Sequence, residues 1–260
     1  MKCTALILAG SRGAPDDLCT ANGVAHKALI EIGGQAMLAR VVEALLACDL
    51  IGGILISVAQ PEPVLALAAV AAHVETGRVR LVTAAATPGE SVLAVLNRAD
   101  HAWPLLVTTA DHPLLRAGMI THFLAHAPDA DAVAAVVEQA IIMAAYPQTV
   151  RTYLRFSDAA VSGANLFLLR NAKARGVVAF WRHVEDNRKQ PMRLMRMLGL
   201  GVILRFVTGR LDLRHALQKL GRRCGAELGV VRLPFAQAAI DVDKQADLEL
   251  AERILAAETR

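Results

Sequence analysis

The sequence predicts an α/β protein whose mostly parallel sheet carries helices on both faces, as in Rossmann-like folds. In residues 1–140, short apolar runs of strand length alternate with segments whose apolar residues recur at helical spacing. The composition agrees, because the chain is 55% hydrophobic but only 4% aromatic, as expected for strands and helices packed in layers. A chain of 260 residues is also long enough to bury such a core without disulfides or metals.

The predicted elements of this first half alternate regularly. We expect strands at residues 4–9, 54–58, 79–83, 105–109 and 132–137. We expect helices at residues 36–47, 61–72, 90–98 and 117–127. Strands that alternate with helices in this way lie parallel and are joined by right-handed crossovers. Because ligands of such sheets bind beyond the carboxyl ends of the strands, we expect functional loops after the first and fourth strands.

Beyond about residue 146 the alternation breaks down. We expect strands at residues 161–170, 203–207, 230–233 and 238–242, and helices at residues 171–185, 191–198, 213–220 and 244–257. Neither an internal repeat nor a low-complexity linker interrupts the sequence. We therefore predict one domain over residues 1–260, with a core at 1–145, an insertion at 146–230 and a closing strand and helix at 231–260.

The net charge of +4 is unevenly distributed. Residues 151–223 contain 16 Lys and Arg against 4 Asp and Glu, a balance of +12, which leaves −8 for the remainder. A basic segment of this kind suits an anionic partner such as nucleic acid, a membrane surface or a phosphorylated small molecule. A solvated basic face without a ligand is the alternative. Nucleic acid is the least favoured partner, since no aromatic stacking platform accompanies the basic residues.

Several classes of protein are excluded by composition. The chain is too apolar and too weakly charged for disorder, and no run of about 18 apolar residues predicts a membrane-spanning helix. The cysteines Cys3, Cys19, Cys48 and Cys224 match no zinc spacing and no C-x-x-C motif. The short apolar run after Lys2 is typical of a first strand rather than a secretory signal. We therefore expect a cytoplasmic protein with free thiols.

Two loops and one lysine carry the residues suited to phosphate chemistry. Residues 10–13 read Gly-Ser-Arg-Gly after the first strand, where glycines allow a phosphate to approach the backbone and Arg12 adds charge. The loop is neither G-x-G-x-x-G nor a P-loop, so a plain turn is the alternative. Lys27 precedes a strand-like segment and a glycine turn from which it could reach this loop. A surface lysine is the alternative.

Acidic residues follow two later strands. Asp111 comes directly after the fourth strand, where a carboxylate can bind Mg²⁺ together with phosphate oxygens and water. Asp241 and Asp243 end a further predicted strand, and one or both could serve the same metal. In each case a helix cap is the alternative, because short acidic side chains also accept hydrogen bonds from helix N-termini.

Taken in order, these motifs resemble the MobA-like nucleotidyltransferase family, which is related to sugar-1-phosphate nucleotidyltransferases and methylerythritol-phosphate cytidylyltransferase. The matching segments are residues 8–13, 27–29, 33–38, 109–113 and 241–248. The resemblance implies the Rossmann-like GT-A fold of that family. It also implies a nucleotide site made of Leu8, Ala9, Gly10, Ser11, Gly13, Gly89, Ser91 and Thr109, in which Gly89 and Ser91 approach the base.

The same resemblance implies the chemical roles. Lys27, Arg12 and Asp111 would carry the catalytic charges, while Asp111 and Asp243 would bind Mg²⁺, with Asp241 as the alternative to Asp243. The expected contacts to a phosphorylated acceptor are Asn165, Arg188, Lys189 and Arg193. Apolar residues among arginines at 192–204 would suit a lipid-linked acceptor or peripheral contact with an anionic membrane, with an ordinary packed helix as the alternative.

The implied reaction transfers a nucleoside monophosphate from a nucleoside triphosphate, with CTP favoured over GTP, to a phosphorylated small-molecule or lipid-linked acceptor, and releases pyrophosphate. One departure from the family pattern is Pro15, which stands where the family usually has an arginine. This departure motivates the hypothesis of a relative that binds nucleotide without catalysis. The sequence is also compatible with a molybdenum-cofactor guanylyltransferase and with a protein that binds an anionic membrane or nucleic acid.

Overall fold

A mostly parallel sheet organises the protein. The computed structural model describes residues 2–10, 17–98, 103–187 and 199–258. The strands of this described part are β1 (Cys3–Leu8), β2 (Glu31–Ile32), β3 (Gln35–Ala36), β4 (Ile51–Val58), β5 (Val79–Thr83), β6 (Leu105–Thr109), β7 (Ala132–Glu138), β8 (Leu154–Arg155), β9 (Ala160–Leu169) and β10 (Leu228–Arg232). Its helices are α1 (Asp17–Ala21), α2 (Met37–Leu46), α3 (Glu62–Leu65), α4 (Ala68–Glu75), α5 (Pro88–Leu96), α6 (Ala117–His126), α7 (Gln139–Ala145), α8 (Ala174–Asn187), α9 (Leu200–Val207), α10 (Leu213–Cys224) and α11 (Gln245–Glu258).

The strand order of the main sheet is β10-β7-β9-β6-β1-β4-β5, and β8 pairs with β9. β1 pairs in parallel with both β4 and β6, β4 with β5, and β7 with β10. β9 is antiparallel to both of its neighbours, β6 and β7. The predicted fold class is therefore confirmed, and one antiparallel strand carries the later part of the chain into the middle of the sheet.

The two faces of the sheet are covered by different helices. In β1, Ala5 and Ile7 point to one face, where they join a core that includes Val41 of α2 and Phe123 of α6. Leu6 points to the other face and packs with residues of α5 and α8. This alternation follows from the two-residue period of a strand, and it explains why β1, buried on both sides, has an almost continuous apolar sequence.

Two predicted strands were wrong. Residues 203–207 belong to helix α9, in which Ile203 N–H donates to Gly199 O and Thr208 N–H donates to Leu204 O. A short apolar run fits a buried strand and a buried helix equally well, so periodicity could not separate them. Residues 238–242 form the end of a 3-10 helix (Ala236–Ala239) and an extended link that pairs with no strand of the described sheet.

Smaller differences have local causes. The helix predicted at residues 61–72 is divided into α3 and α4, because Leu67 adopts an extended backbone conformation between them. The helix predicted at residues 191–198 lies outside the described residues, and the predicted domain boundaries stay a prediction. Among the described residues, no helix combines the length and the apolar character needed to cross a lipid bilayer.

Candidate active site

A cleft of about 1510 Å³ opens at the carboxyl edge of the parallel strands. Leu8, Ser57 and Thr109, which lie at the ends of β1, β4 and β6, line it together with Gly10. The hydroxyl oxygens of Ser57 and Thr109 are buried and make no hydrogen bond within the described part of the chain. The cleft therefore contains polar atoms that a bound molecule can use.

Lys27 lies between two carboxylates in this cleft. Its Nζ is 2.8 Å from Oδ2 of Asp111 and 2.5 Å from Oδ1 of Asp243. The side chains of Lys27 and Asp111 are 20% and 24% exposed, whereas that of Asp243 is 65% exposed. The fold thus brings together three residues that the sequence singled out separately.

Local hydrogen bonds hold the segments that carry this trio. His26 caps the 3-10 helix Lys27–Leu29, because its Nδ1 accepts a hydrogen bond of 3.1 Å from the Ala28 N–H. The backbone carbonyl of Asp111 accepts a hydrogen bond of 2.9 Å from the Val242 N–H. This bond attaches the unpaired link after the 3-10 helix to the end of β6, and so places Asp243 opposite Asp111.

The two carboxylates stabilise the charged form of Lys27. Burial acts to lower the pKa of Lys27, but the charges and hydrogen bonds of Asp111 and Asp243 outweigh it, and the pKa is raised above its ordinary value. The ammonium group is therefore charged at neutral pH. Such a cation, close to the strand edge, is suited to offset the charge of phosphate oxygens.

Asp111 and Asp243 also have the chemistry of a magnesium site. Oδ1 of Asp111 is buried without a hydrogen-bond partner in the described residues. Mg²⁺ is commonly held by one or two carboxylates, with phosphate oxygens and water as the remaining ligands. The described residues contain no group of three His, Cys, Asp or Glu side chains suited to a metal. The two carboxylates of the pair therefore suit a metal whose remaining ligands are phosphate oxygens and water.

Asp241 has different partners from Asp243. The guanidinium of Arg151 donates to the Asp241 carboxylate and, at 2.9 Å, to its backbone carbonyl. Nδ2 of Asn165 donates to Oδ2 of Asp241 at 3.1 Å. Burial raises the pKa of Asp241, Arg151 opposes the rise, and the charges of Asp111 and Asp243 add to it. Of the two candidate carboxylates after residue 240, Asp243 is thus the one that contacts Lys27.

Asn165 lines the cleft in an uncommon backbone conformation. Its φ of 46° lies in the left-handed region, which asparagine tolerates better than most residues other than glycine. Because Asn165 lies in the middle of β9, this conformation interrupts the strand where it runs beside the cleft. The predicted acceptor residue therefore reaches the cleft, with its amide already engaged by Asp241.

The segment expected to approach the base forms the N-terminus of α5. Thr87 is the N-cap, and its Oγ1 accepts a hydrogen bond from the Glu90 N–H. Ser91 lines the cleft, but its hydroxyl accepts from the Ala85 N–H at 2.9 Å and donates to the Thr87 carbonyl at 3.0 Å. Gly89 packs against α8 instead, and its N–H donates to Glu185 Oε2 at 3.2 Å.

The remaining predicted site residues divide into two groups. Ala9 is buried, and its N–H donates to the Ser57 carbonyl at 2.9 Å rather than facing the cleft. The others lie outside the described residues: Ser11, Arg12, Gly13 and Pro15 in the first loop, and Arg188, Lys189 and Arg193 in the basic insertion. For these seven residues the sequence-based roles stay predictions.

Sequence reasoning missed four residues at or beside the cleft. Arg151, whose side chain is 10% exposed, stands out in the sequence only as one member of the basic segment. Phe167 on β9, Trp181 on α8 and Glu185 on α8 line the cleft but match no motif. The spacing of Trp181 and Glu185, four residues apart on one predicted helix, was the available signal that they share a face.

Part of the basic segment serves the fold. The Arg170 guanidinium donates to the carbonyls of Ala130 and Pro128, and Arg175 donates to the Leu96 carbonyl at 2.6 Å. Like Arg151, these two arginines donate hydrogen bonds to oxygen atoms of the protein itself. The excess of positive charge between residues 151 and 223 therefore overstates the charge available to a ligand.

Solved structures with the same fold include several nucleotide-processing enzymes. A hypothetical transferase from Thermus thermophilus is 29% identical, with a TM-score of 0.77 over 95% of this chain and 100% of that chain. The CMP:2-keto-3-deoxy-manno-octonic acid synthetase complexed with CTP is 15% identical, with a TM-score of 0.57 over 99% and 100%. The 4-diphosphocytidyl-2C-methyl-D-erythritol synthase of Anaerococcus prevotii is 12% identical, with a TM-score of 0.58 over 98% and 96%.

The sequence itself matches a family. No curated protein matches this chain, but the family described as the MobA-like NTP transferase domain matches residues 5–223. That span contains Lys27 and Asp111, and with them most of the sheet whose edge forms the cleft. The chain therefore belongs to the MobA-like NTP transferase family of nucleotidyltransferases.

Proposed function

We propose that this protein is a magnesium-dependent cytidylyltransferase, which transfers CMP from CTP to a phosphorylated acceptor and releases pyrophosphate. The observation that carries the proposal is the contact of Lys27 with both Asp111 and Asp243 at the edge of the sheet. A lysine and two carboxylates at one point provide a cation for phosphate oxygens and two ligands for a metal that accompanies them.

The reaction requires few protein groups. An oxygen of the acceptor phosphate attacks the α-phosphorus of the nucleotide, the bond from that phosphorus to the bridging oxygen breaks, and pyrophosphate leaves with the electron pair. No general base is needed, because a phosphate monoester is already an anion near neutral pH. Catalysis then consists mainly of positioning and of charge stabilisation.

The roles of the trio follow from this requirement. Asp111 and Asp243 would hold Mg²⁺, which on binding polarises the α-phosphate and offsets its charge. The ammonium group of Lys27, which lies beside both carboxylates, would donate hydrogen bonds to the phosphate oxygens of the nucleotide. Its raised pKa keeps it protonated in the resting cleft, so no proton has to be acquired before the nucleotide binds.

The names of two solved structures with this fold support CTP as the donor. Two of the solved structures with this fold act on cytidine nucleotides according to their names, and one of them contains CTP. The proposed base-binding segment around Thr87 and Ser91 lies at the cleft next to β5, which leaves the β6 and β9 side, with Asn165, for the acceptor.

The test is pyrophosphate release from each of the four common nucleoside triphosphates with Mg²⁺ and a panel of phosphorylated acceptors. We expect release with CTP and at least one acceptor, and loss of release on addition of EDTA. Asp111→Asn removes a proposed metal ligand and is expected to abolish release. Asp129→Asn, an exposed carboxylate outside the cleft, is the matched control and should retain it.

Three outcomes would contradict the proposal in different ways. Release only with GTP would replace the cytidylyl reaction with a guanylyl reaction. Full activity of the Asp111→Asn variant would remove the proposed metal site. Binding of nucleotide without release across the whole panel would support a relative that has lost catalysis.

A further inference from the structure

One wall of the cleft is aromatic. Phe167 of β9 and Trp181 of α8 both line the cleft, with ring centroids 6.0 Å apart and ring planes inclined by 33°. Both side chains are half-buried, so each keeps part of its ring surface facing the open space. Both rings pack in part against the core that α5 and α8 cover, and the part of each ring that lines the cleft is available to a ligand.

The helix that carries Trp181 is attached to α5 at both ends. Arg175, near the start of α8, donates to the Leu96 carbonyl at the end of α5, at 2.6 Å. Glu185, near the end of α8, accepts a hydrogen bond of 3.2 Å from the Gly89 N–H at the start of α5. Each charge also complements the dipole of the α5 terminus that it contacts. Trp181 lies between these two attachments, so its position over the cleft is fixed before a ligand arrives.

Gly89 allows this close approach. A Cβ at residue 89 would lie 3.0 Å from Glu185 Oε2 and 3.2 Å from Arg182 Cα, closer than ordinary packing permits. A glycine therefore lets α8 contact the first turn of α5 directly. The role that fits this position is to bring α8, and with it Trp181, to the edge of the cleft.

Phe167 places one end of the aromatic wall on the acceptor side, whereas Trp181 lies on α8, which also contacts the start of α5. Phe167 is two residues from Asn165 on β9, and β9 lies beyond β6 in the sheet, away from β1, β4 and β5. The loops after β1 and β5 carry the residues proposed for the triphosphate and the base. A molecule whose phosphate meets Asp111 and Lys27 from the β9 side therefore brings its organic part to Phe167 and Trp181.

We propose that Trp181 and Phe167 form a subsite for a ring or another flat apolar group on the phosphorylated acceptor. This inference rests on the proposed function, which supplies the acceptor. It narrows the acceptor class from phosphate monoesters in general to those with an unsaturated or aromatic group near the phosphate. Small, flexible polyhydroxylated phosphates cover less of the ring faces and are expected to be the poorer acceptors.

A binding measurement tests the subsite without turnover. The Trp103→Phe variant leaves Trp181 as the single tryptophan, and its fluorescence is titrated with phenyl phosphate and with glycerol 3-phosphate, which share the phosphate group but differ in the ring. We expect phenyl phosphate to quench the fluorescence at about tenfold lower concentration. Equal concentrations for the two probes would overturn the proposal, as would quenching by CTP but not by phenyl phosphate.

Turnover provides the second arm. With an active pair from the acceptor panel, Trp181→Leu is expected to raise the KM of ring-bearing acceptors about tenfold, while the KM of the nucleotide changes less than about twofold. Trp181→Phe keeps a ring and should retain most of the affinity for the acceptor. A merely structural defect would instead raise the KM of the acceptor and the KM of the nucleotide together. An equal rise in both KM values would overturn the subsite. If the probe binds but no pair releases pyrophosphate, the proposed function fails and the subsite remains.

Discussion

The two sides of the cleft are held in place by different kinds of contact. On the nucleotide side, backbone hydrogen bonds link the ends of neighbouring strands: Ala9 to Ser57, Ala84 to Val58 and Ala110 to Leu8. On the acceptor side and between α8 and α5, side chains bridge distant segments: Arg151 and Asn165 to Asp241, Arg175 to Leu96 and Glu185 to Gly89. The first side depends on the ladder of the sheet, and the second on individual residues.

This difference implies different responses to substitution. A side chain on the nucleotide side can be changed with little effect on the backbone that positions its neighbours, so a loss of activity there reports chemistry. A change on the acceptor side removes the contact that holds an element, so stability and activity fall together. Substitutions on the two sides can therefore test whether backbone contacts hold the nucleotide side and side-chain contacts hold the acceptor side.

The largest effect is expected for Lys27→Ala. Removal of one preorganised charged donor typically costs about a hundredfold to a thousandfold in rate, and we expect a loss of that size in kcat/KM for pyrophosphate release. Circular dichroism and thermal unfolding should show a folded protein. The hydrogen bonds that hold the site, from Ala28 N–H to His26 and from Val242 N–H to Asp111, do not involve the side chain of Lys27.

Lys219→Ala, which truncates an exposed lysine on α10, is the matched control and should keep full activity. Turnover of Lys27→Ala within about threefold of the wild-type rate would contradict both the role of this lysine and the contrast between the two sides. Loss of the folded state in this variant would contradict only the contrast.

The nucleotide side could be predicted from the sequence better than the acceptor side. The strands of the first half could be identified because each is a short apolar run between turn residues and helices, which is a local signal. Lys27, Asp111 and Asp243 could be singled out because each stands at a strand end or within a motif. Which of Asp241 and Asp243 meets Lys27 could not be predicted, since it depends on the hydrogen bond from Val242 to Asp111.

The acceptor side could not be predicted in the same way. The contact of Arg151 with Asp241 joins residues 90 positions apart, and that of Glu185 with Gly89 joins residues 96 positions apart. Composition shows only that the segment is basic, and it does not show which arginines face protein carbonyls. The same limit explains why the sequence predicts a strand within α9, because its apolar run carries no signal of its packing partner.

Arg151→Ala is expected to have the largest effect on stability. It removes the cation from a mostly buried ion pair and leaves the Asp241 carboxylate, 25% exposed, to the amide of Asn165. Breaking one partner of such a pair costs about 2–4 kcal/mol of the free energy of unfolding, somewhat less than for a fully buried pair. Denaturant unfolding measures the loss, and Arg155→Ala, an exposed arginine on β8, is the control.

The loss in Arg151→Ala should depend on pH. Burial already raises the pKa of Asp241, and Arg151 opposes that rise, so its removal raises the pKa further. A carboxylate whose pKa is raised by folding destabilises the folded state when it is ionised, and this cost disappears as the pH falls and the group is protonated. The difference from wild type should therefore be larger at pH 7 than at pH 4. A double variant with Asp241→Asn should recover part of the loss, and a pH-independent difference would contradict this explanation.

The smallest effect is expected for Gly89→Ala, which tests the attachment of α8 to α5. The added Cβ would lie 3.2 Å from the backbone of Arg182, and because backbone must shift, we expect a loss of about 1–2 kcal/mol in the free energy of unfolding. Gly118→Ala is the matched control, since Gly118 also lies in the first turn of a helix but a Cβ there meets no atom within 4 Å.

The control substitution Gly118→Ala should leave the free energy of unfolding unchanged or raise it by up to about 1 kcal/mol, as expected when alanine replaces glycine in a helix. If α8 positions the aromatic wall, Gly89→Ala also raises the KM of the acceptor more than that of the nucleotide, because the displaced helix carries Trp181. A selective rise in the nucleotide KM would instead assign Gly89 to the base, as the sequence resemblance implies, and would show that the first turn of α5 serves the nucleotide side of the cleft.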